Sequence, residues 1–217
     1  MAIALNVASA GTNTTTSPLT WSHTCTGSNL VLIVAVGCRA IGASISTPTY
    51  NGVSMTLLGS QRTMTASVVA LYYLLNPAAG SNTISVAFGG TSANCNGGAV
   101  SWTGVKQTAQ PDAVSGISDQ LGSNPSLTVT TVADNCWTTG VCIDGASLTA
   151  GLTNRWTADV GVNYGSLEDS NGPKTPAGNV TVNWTASLGS WGAQAASFAP
   201  VTGSFSPSIS PSVSPSV

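Results

Sequence analysis

The sequence predicts an all-β protein, an antiparallel β-sandwich followed by an extended Ser/Pro tail. Two observations indicate this class. Apolar and polar residues alternate in several short segments, which is the period of a strand with one buried face. Gly, Pro and Asn-Gly signals divide the chain at short intervals, and no stretch has the caps and period of a long amphipathic helix. We expect one sandwich domain over residues 1–203 and a tail over residues 204–217.

Four segments have the alternation of half-buried strands. Their apolar positions are Leu19, Trp21, His23 and Cys25; Ile84, Val86 and Phe88; Leu127 and Val129; and Val180, Val182 and Trp184. Residues 30–36 and 67–75 are more continuously apolar, as central strands covered on both faces are. These two segments are the predicted core.

Turn signals separate the predicted strands. Asn51-Gly52 tolerates the positive φ angles of a type I′ turn and predicts a hairpin over residues 47–58. Residues 76–80, Gly89-Gly90 and Gly97-Gly98 are further predicted breaks, and Pro111, Pro125 and Pro173 mark later loops. About a dozen short strands of this kind suit a jelly-roll or an immunoglobulin-like sandwich, and the sequence leaves both topologies open.

The tail has serine at every even position from 204 to 216, with proline or an apolar residue at every odd one. Proline lacks an N–H and clashes in a helix, so an extended tail can pair along its serine edge only. We expect an assembly arm that hydrogen-bonds through its even-numbered serines with a neighbouring subunit, or that bundles with copies of itself. Its residues are Ser206, Pro207, Ser208, Ile209, Ser210, Pro211, Ser212, Val213, Ser214, Pro215 and Ser216.

Charge is scarce throughout the chain. Only 6% of the residues are charged, against about a quarter in an average soluble domain, and the net charge is −2. Nucleic acid is therefore not an expected partner, because phosphate binding needs clustered Lys and Arg. Ser and Thr make up about a quarter of the chain and replace charge as its polar groups. No apolar run is long enough to span a membrane, and residues 1–6 lack the pattern of a signal peptide.

Five cysteines are present, and none forms a C-x-x-C pair. Cys136 and Cys142 have the spacing of a local bridge, but we expect buried thiols in strands, not a disulfide framework. Zinc is not expected, because His23 is the only imidazole and the sulfurs lack the spacing of a finger or ribbon.

Residues 1–200 resemble β-sandwich proteins of tailed bacteriophages and prophages. The features that carry the resemblance are Gly27-Ser28-Asn29 before an apolar strand, Tyr50-Asn51-Gly52-Val53, the segment LYYLLNP at 71–77, and Trp102-Thr103-Gly104-Val105. The resemblance implies a virion component such as a capsid decoration or cement protein, a fibre or a tail adhesin. It carries no catalytic motif and so transfers no active-site residue.

Each candidate site has a competing structural explanation. His23 shares the apolar face of its strand, so we expect a packed or hydrogen-bonded histidine and no serine-hydrolase triad. Glu168 and Asp169 point to opposite faces if extended, which does not suit a glycosidase pair, and a solvated loop is expected there. Asp134, Asn135 and Asp144 lack the spacing of a calcium loop. We expect no catalytic residue, no metal and no cofactor.

Tryptophans are the remaining candidates, because exposed indoles stack on sugar rings. Trp21, Trp102 and Trp184 lie in strand patterns and are predicted to be core. Trp137 and Trp156 are less clearly in register with a buried face, which makes them the possible glycan platform.

Taken together, these features favour a non-enzymatic, homo-oligomeric capsid decoration or cement subunit on the virion surface, made in the host cytoplasm without a signal peptide. Its expected partners are the major capsid protein or copies of itself. The alternative is a carbohydrate-binding adhesin module that recognises a host-surface glycan.

Overall fold

The computed structural model describes residues 1–122, 124–145, 147–160, 163–186 and 189–202. These residues form strands and connecting loops, with no helix among them. The strands are β1 (Ala4–Thr14), β2 (Leu19–Cys25), β3 (Val31–Ile45), β4 (Thr49–Tyr50), β5 (Val53–Ser54), β6 (Thr56–Leu57), β7 (Arg62–Met64), β8 (Ser67–Leu75), β9 (Gly80–Val86), β10 (Phe88–Thr103), β11 (Ala113–Leu121), β12 (Ser126–Thr130), β13 (Trp137–Asp144), β14 (Leu148–Ala150), β15 (Thr153–Val160), β16 (Asn163–Asp169), β17 (Asn179–Ala186) and β18 (Ser190–Phe198).

The strands form four antiparallel sheets. Inner sheet 1 has the order β1-β10-β3-β8-β6, with β7 also paired to β8, and outer sheet 1 has the order β2-β9-β4-β5. Inner sheet 2 has the order β11-β18-β13-β16-β15, and outer sheet 2 has the order β12-β17-β14. The predicted all-β sandwich class is confirmed, with four sheets in place of the two that a single sandwich needs.

Both halves of the chain have the same strand order. In the first half, the inner sheet contains the order β1-β10-β3-β8 and the outer sheet contains the order β2-β9-β4. In the second half, the corresponding strands have the same order, with β11-β18-β13-β16 in the inner sheet and β12-β17-β14 in the outer sheet. In each half the first four strands (β1–β4 and β11–β14) and the last three (β8–β10 and β16–β18) alternate between the two sheets. This is the connectivity of a jelly roll and not of an immunoglobulin domain. The topology that the sequence left open is therefore a jelly roll, present twice: a first sandwich (β1–β10) and a second sandwich (β11–β18).

Among the described residues, three hydrophobic cores hold the sheets together. One lies between the sheets of the first sandwich and includes Trp21 and Val34, and another lies between the sheets of the second and includes Trp184. The third lies between the two inner sheets and joins Ile33 and Trp102 to Phe198. Because both faces of each inner sheet are covered, residues 31–38 of β3 and all of β13 are buried. The core predicted at 30–36 is confirmed, and within the predicted segment 67–75 residues 68–72 are buried while its ends are half-buried.

The contact between the inner sheets has approximate twofold symmetry. β1 lies over β15, and its counterpart β11 lies over β7 at the other edge. β8 likewise lies over β13 and β18, while its counterpart β16 lies over β3 and β10. Such a self-complementary arrangement is the one that relates the subunits of a symmetric dimer. The chain is built like a dimer of jelly rolls that have been joined end to end.

Two glycine predictions were wrong. Gly89-Gly90 and Gly97-Gly98 do not end strands, since β10 continues through both pairs. A Cβ on Gly98 would lie 2.6 Å from the Cβ of Trp156, and one on Gly97 would lie 3.1 Å from Cη2 of Trp21. The glycines leave room for large indoles on either face of the strand. The Asn51-Gly52 hairpin is confirmed, with positive φ at both residues, but it pairs only β4 with β5.

Candidate functional site

A cleft with a volume of about 550 Å³ lies where the ends of the two sandwiches meet. Its apolar part comes from Ile3, Trp137, Pro173 and the segment that follows β18, and its polar rim includes Lys106. The segments that build it are the start of β1, the loop before β13 and residues 199–202, which leave the last strand. The cleft is therefore assembled from both ends of the described chain.

The rim of the cleft is held by hydrogen bonds that use its polar side chains. The Asp134 Oδ1 accepts the backbone N–H of Ala177 at 2.7 Å, and the Asn135 Oδ1 accepts the Thr175 hydroxyl at 2.7 Å. Asn135 also has a positive φ of 63°, which asparagine tolerates better than most residues. These two side chains fix the loop that forms one wall of the cleft, and the floor beside it is apolar.

The predicted glycan platform is wrong in its geometry. Trp137 is 7% exposed and Trp156 is 5% exposed, and both belong to the core between the inner sheets. Trp137 packs edge-on against Trp102, with ring centroids 5.5 Å apart, and Trp156 fills the space over Gly98. Trp156 is enclosed by the packed sheets, and Trp137 lines the cleft with only the small part of its surface that stays exposed, so neither is an open platform for a sugar ring. Alternation failed as a guide because the inner sheets are covered on both sides. Trp21, Trp102 and Trp184 are buried as predicted.

The assembly arm, residues 206–216, lies outside the described residues, as does the whole segment after Thr202. What the structure does show is its point of departure. Thr202 lines the cleft, so the arm begins at this end of the molecule.

His23 is a buried link in a hydrogen-bond chain, as predicted. Its Nδ1 lies 2.7 Å from the Ser9 hydroxyl and its Nε2 lies 2.9 Å from the Ser101 hydroxyl. Ser9 accepts from the Trp21 indole, and Ser101 donates to Asn6, which together assign a neutral imidazole that accepts at Nδ1 and donates at Nε2. Burial lowers the pKa of His23 to about 4. The ring is 1% exposed, so it is not a base within reach of substrate.

The loop predicted for Glu168 and Asp169 was wrong, since both lie on β16 and are fully buried. They do point to opposite faces. Glu168 accepts the backbone N–H groups of Leu152 and Asn183, at 2.9 and 3.2 Å. Burial raises the pKa of Glu168 to about 7. The carboxyl group fastens the turn before β15 to outer sheet 2.

Asp169 fills the opposite side of the same strand. It forms two hydrogen bonds with the Arg155 guanidinium, at 2.7 and 2.8 Å, and accepts the Trp102 indole N–H at 3.2 Å. Since Trp102 belongs to the first sandwich, its hydrogen bond to Asp169 ties the two sandwiches together. The hydrogen bonds of both carboxylates of β16 therefore have a structural role and not a catalytic one.

The calcium candidates do not converge. Asp134 and Asn135 precede β13, whereas Asp144 ends it, about 20 Å away for a strand of this length. No group of three or more His, Cys, Asp and Glu side chains suited to a metal occurs among the described residues.

The cysteine prediction was partly wrong. Cys38 and Cys95 face each other across β3 and β10 and form a disulfide, which was not predicted from the sequence. The remaining cysteines, Cys25, Cys136 and Cys142, are buried and free, as expected of thiols in a sheet protein. Burial, together with the nearby negative charge of Asp112, raises the pKa of Cys136 to about 12. This thiol is therefore held in its unreactive protonated form.

No protein-family model, no curated protein and no solved structure matches this chain. Within the described part of the chain, no helix is long and apolar enough to cross a membrane.

Proposed function

We propose that this chain is a non-enzymatic structural subunit of a phage particle, a capsid decoration or cement protein that packs against neighbouring subunits. Jelly-roll sandwiches recur in viral capsid proteins and in lectins, so the fold is compatible with this function without requiring it. The observation that carries the proposal is the chemistry of the two outer sheets.

The solvent faces of both outer sheets are ladders of hydroxyl and amide groups. On outer sheet 1, Thr20 pairs with Ser85 and Ser22 with Thr83. On outer sheet 2 the corresponding pairs are Ser126 with Asn183, Thr128 with Thr181, and Thr130 with Asn179. No strand of either outer sheet, within the bounds given above, carries Asp, Glu, Lys or Arg.

Neutral faces of this kind suit contact with other protein subunits. The cores of protein interfaces are depleted in charge, and burying a hydroxyl that keeps a hydrogen bond costs far less than burying an ion. Because the two outer faces lie on opposite sides of a four-sheet stack, one subunit can contact neighbours on both sides. Modest contacts of this type add up over many copies in a particle.

The first test asks where the protein is found. An antibody raised against the recombinant chain should decorate particles released from cells that carry the gene, as seen by immunogold electron microscopy. Particles without label, with the protein found only in cell extracts, would contradict the proposal.

The second test places charge on one outer face. The double variant Thr128→Lys/Thr181→Lys should lose particle occupancy, measured by quantitative mass spectrometry of purified particles, because two ammonium groups would have to be desolvated on docking. Val132→Lys is the matched control, since Val132 is 75% exposed in a loop. Equal occupancy for both variants would show that this face is not the interface.

The third test concerns the arm. Deleting residues 204–217 should weaken particle binding if the arm pairs with a neighbouring subunit, and unchanged assembly would remove the arm from the proposal. The adhesin alternative has lost the exposed Trp137 and Trp156 on which it depended.

A further inference from the structure

The two sandwiches end in corresponding ways, so one end can be compared with the other. At the end of the first, Trp102 pairs with Val31, and at the end of the second, Phe198 pairs with Trp137. Counting five residues onward from each aromatic residue, position 203 of the tail corresponds to Gln107. The segment that begins the tail therefore corresponds to the segment that links the two sandwiches.

At the end of the first sandwich, this linking segment closes the space beside β3. The backbone N–H of Val105 donates to the Asn29 carbonyl at 2.9 Å. The Gln107 amide donates to the Leu30 carbonyl at 3.2 Å and to the Val105 carbonyl at 2.7 Å. Residues of the chain itself thus cover the start of the strand.

At the end of the second sandwich the corresponding space is open. Val201, the counterpart of Val105, donates its N–H to the Gly104 carbonyl at 2.8 Å and not to Asn135, the counterpart of Asn29. The amino group of Met1 donates to the Val201 carbonyl at 3.1 Å. The loop at 133–135 is left uncovered, and the cleft described above lies there.

The chain supplies an apolar side chain next to this opening. Thr202 lines the cleft, and 15 residues follow it. Phe205 is the first large apolar residue among them, and three extended residues reach about 10 Å. A segment tethered at the rim of a cleft has a high effective concentration there.

We propose that the cleft is the docking site for this chain's own tail, with the Phe205 side chain against Trp137 and Ile3. The tail then closes the second sandwich as the Gln107 segment closes the first, and residues 206–217 leave the body from one fixed point. This inference does not depend on the proposed function.

A disulfide-trapping experiment on the full chain tests it. In the double variant Ala133→Cys/Ser206→Cys, one thiol lines the cleft and the other follows Phe205 in the tail. Mild oxidation at low protein concentration should give an intramolecular bridge, detected by mass spectrometry and non-reducing electrophoresis. Adding Phe205→Ser should slow bridge formation about tenfold, because the apolar anchor is lost. Adding Val213→Ser, a matched change farther along the tail, should leave the rate unchanged.

Three results would overturn the proposal. Equal rates with and without Phe205→Ser would mean that Phe205 does not dock. Covalent dimers in place of the intramolecular bridge would assign the cleft to the tail of a second copy. The indole N–H resonance of Trp137 provides a readout free of new thiols: Phe205→Ser should shift it, whereas Val213→Ser should not. If both single variants leave that resonance in place, the proposal fails.

Discussion

Burial shifts the pKa values of His23 and Glu168 in opposite directions, to about 4 and about 7. Both values lie in the pH range in which proteins are commonly studied. His23 is neutral and accepts a hydrogen bond from the Ser9 hydroxyl at Nδ1. Protonating it in the folded state would abolish this hydrogen bond and place a charge in the protein interior. Glu168 resists ionisation for the same reason of burial, despite two backbone donors.

The two shifts predict opposing effects of pH on stability. The pKa of His23 falls from 6.5 to about 4, so its contribution to the free energy of unfolding is present above pH 6.5 and is lost as the pH falls towards 4. The pKa of Glu168 rises from 4.5 to about 7, so its contribution is present below pH 4.5 and is lost as the pH rises through 7. Between pH 4.5 and 6.5 the two slopes cancel.

Removing either group should reveal the other. In Glu168→Gln, the free energy of unfolding should rise by about 3 kcal/mol from pH 4 to 6.5, at about 1.4 kcal/mol for each unit of pKa shift. In His23→Gln it should fall over pH 4.5 to 7. Urea unfolding curves at half-unit pH intervals measure both. A flat profile in either variant would mean that the remaining group does not titrate as its burial requires.

Gly98 gives a packing prediction at the same scale. Gly98→Ala should destabilise the protein by about 1–3 kcal/mol, because the new methyl group overlaps the Trp156 ring in a core that is covered on both sides. Gly172→Ala is the matched control, since the nearest atom to its added Cβ would be 3.7 Å away. Thermal unfolding of the two variants checks the difference, and equal melting temperatures would show that Trp156 can move aside.

At the scale of the elements, β3 and β10 form the long pair on which the first sandwich is built. The Cys38–Cys95 disulfide joins residues that are 57 positions apart in sequence and directly opposite in register. On the N-terminal side of Cys95, the pairing of β10 with β3 extends back to Phe88 and contains two register shifts. The bridge therefore fastens the pair just before the irregular part begins.

The disulfide should stabilise the first sandwich by restricting the unfolded chain. Cys38→Ala/Cys95→Ala should lower the free energy of unfolding by about 2–4 kcal/mol. Reductant should lower the free energy of unfolding of the parent chain by a similar amount and leave that of the double variant unchanged. If reductant destabilises both equally, the effect comes from another source than this bridge.

At the scale of the whole molecule, the approximate twofold arrangement brings the two described chain ends together. Met1 and Val201 are hydrogen-bonded. Under the approximate twofold arrangement, they lie at the position equivalent to the segment that links the two sandwiches. Within that linking segment, Thr108 and Ala109 are exposed. The molecule has two equivalent places at which its chain can be interrupted.

A circular permutant tests this equivalence. Joining Thr202 to Met1 with a short Gly-Ser linker in place of the tail, and opening the chain between Thr108 and Ala109, should give a protein with one cooperative unfolding transition, because no buried hydrogen bond or core contact is cut. Opening the chain between Ala35 and Val36 is the negative control, as it interrupts a fully buried strand. Circular dichroism melts distinguish the two, and an unfolded 108–109 permutant would contradict the equivalence.

Alternation and turn chemistry are local properties of the chain, so the class of the fold, the core strands and the hairpin at Asn51-Gly52 could be predicted from them. The structural role of His23 could be predicted in the same way. The repeat of the jelly roll left only faint local traces, such as the Ala-Gly pairs 79–80 and 177–178 at the starts of β9 and β17, so it became visible only in the strand order.

The burial of Trp137, Trp156, Glu168 and Asp169 depends on how the two sandwiches pack together. Alternation indicates which residues share a face, but it does not say that a second sandwich covers that face. Once the inner sheets pack together, side chains on both faces are buried, and polar groups among them must find partners within the protein. The same packing brings distant ends of the chain to one place and creates the cleft from which the tail departs.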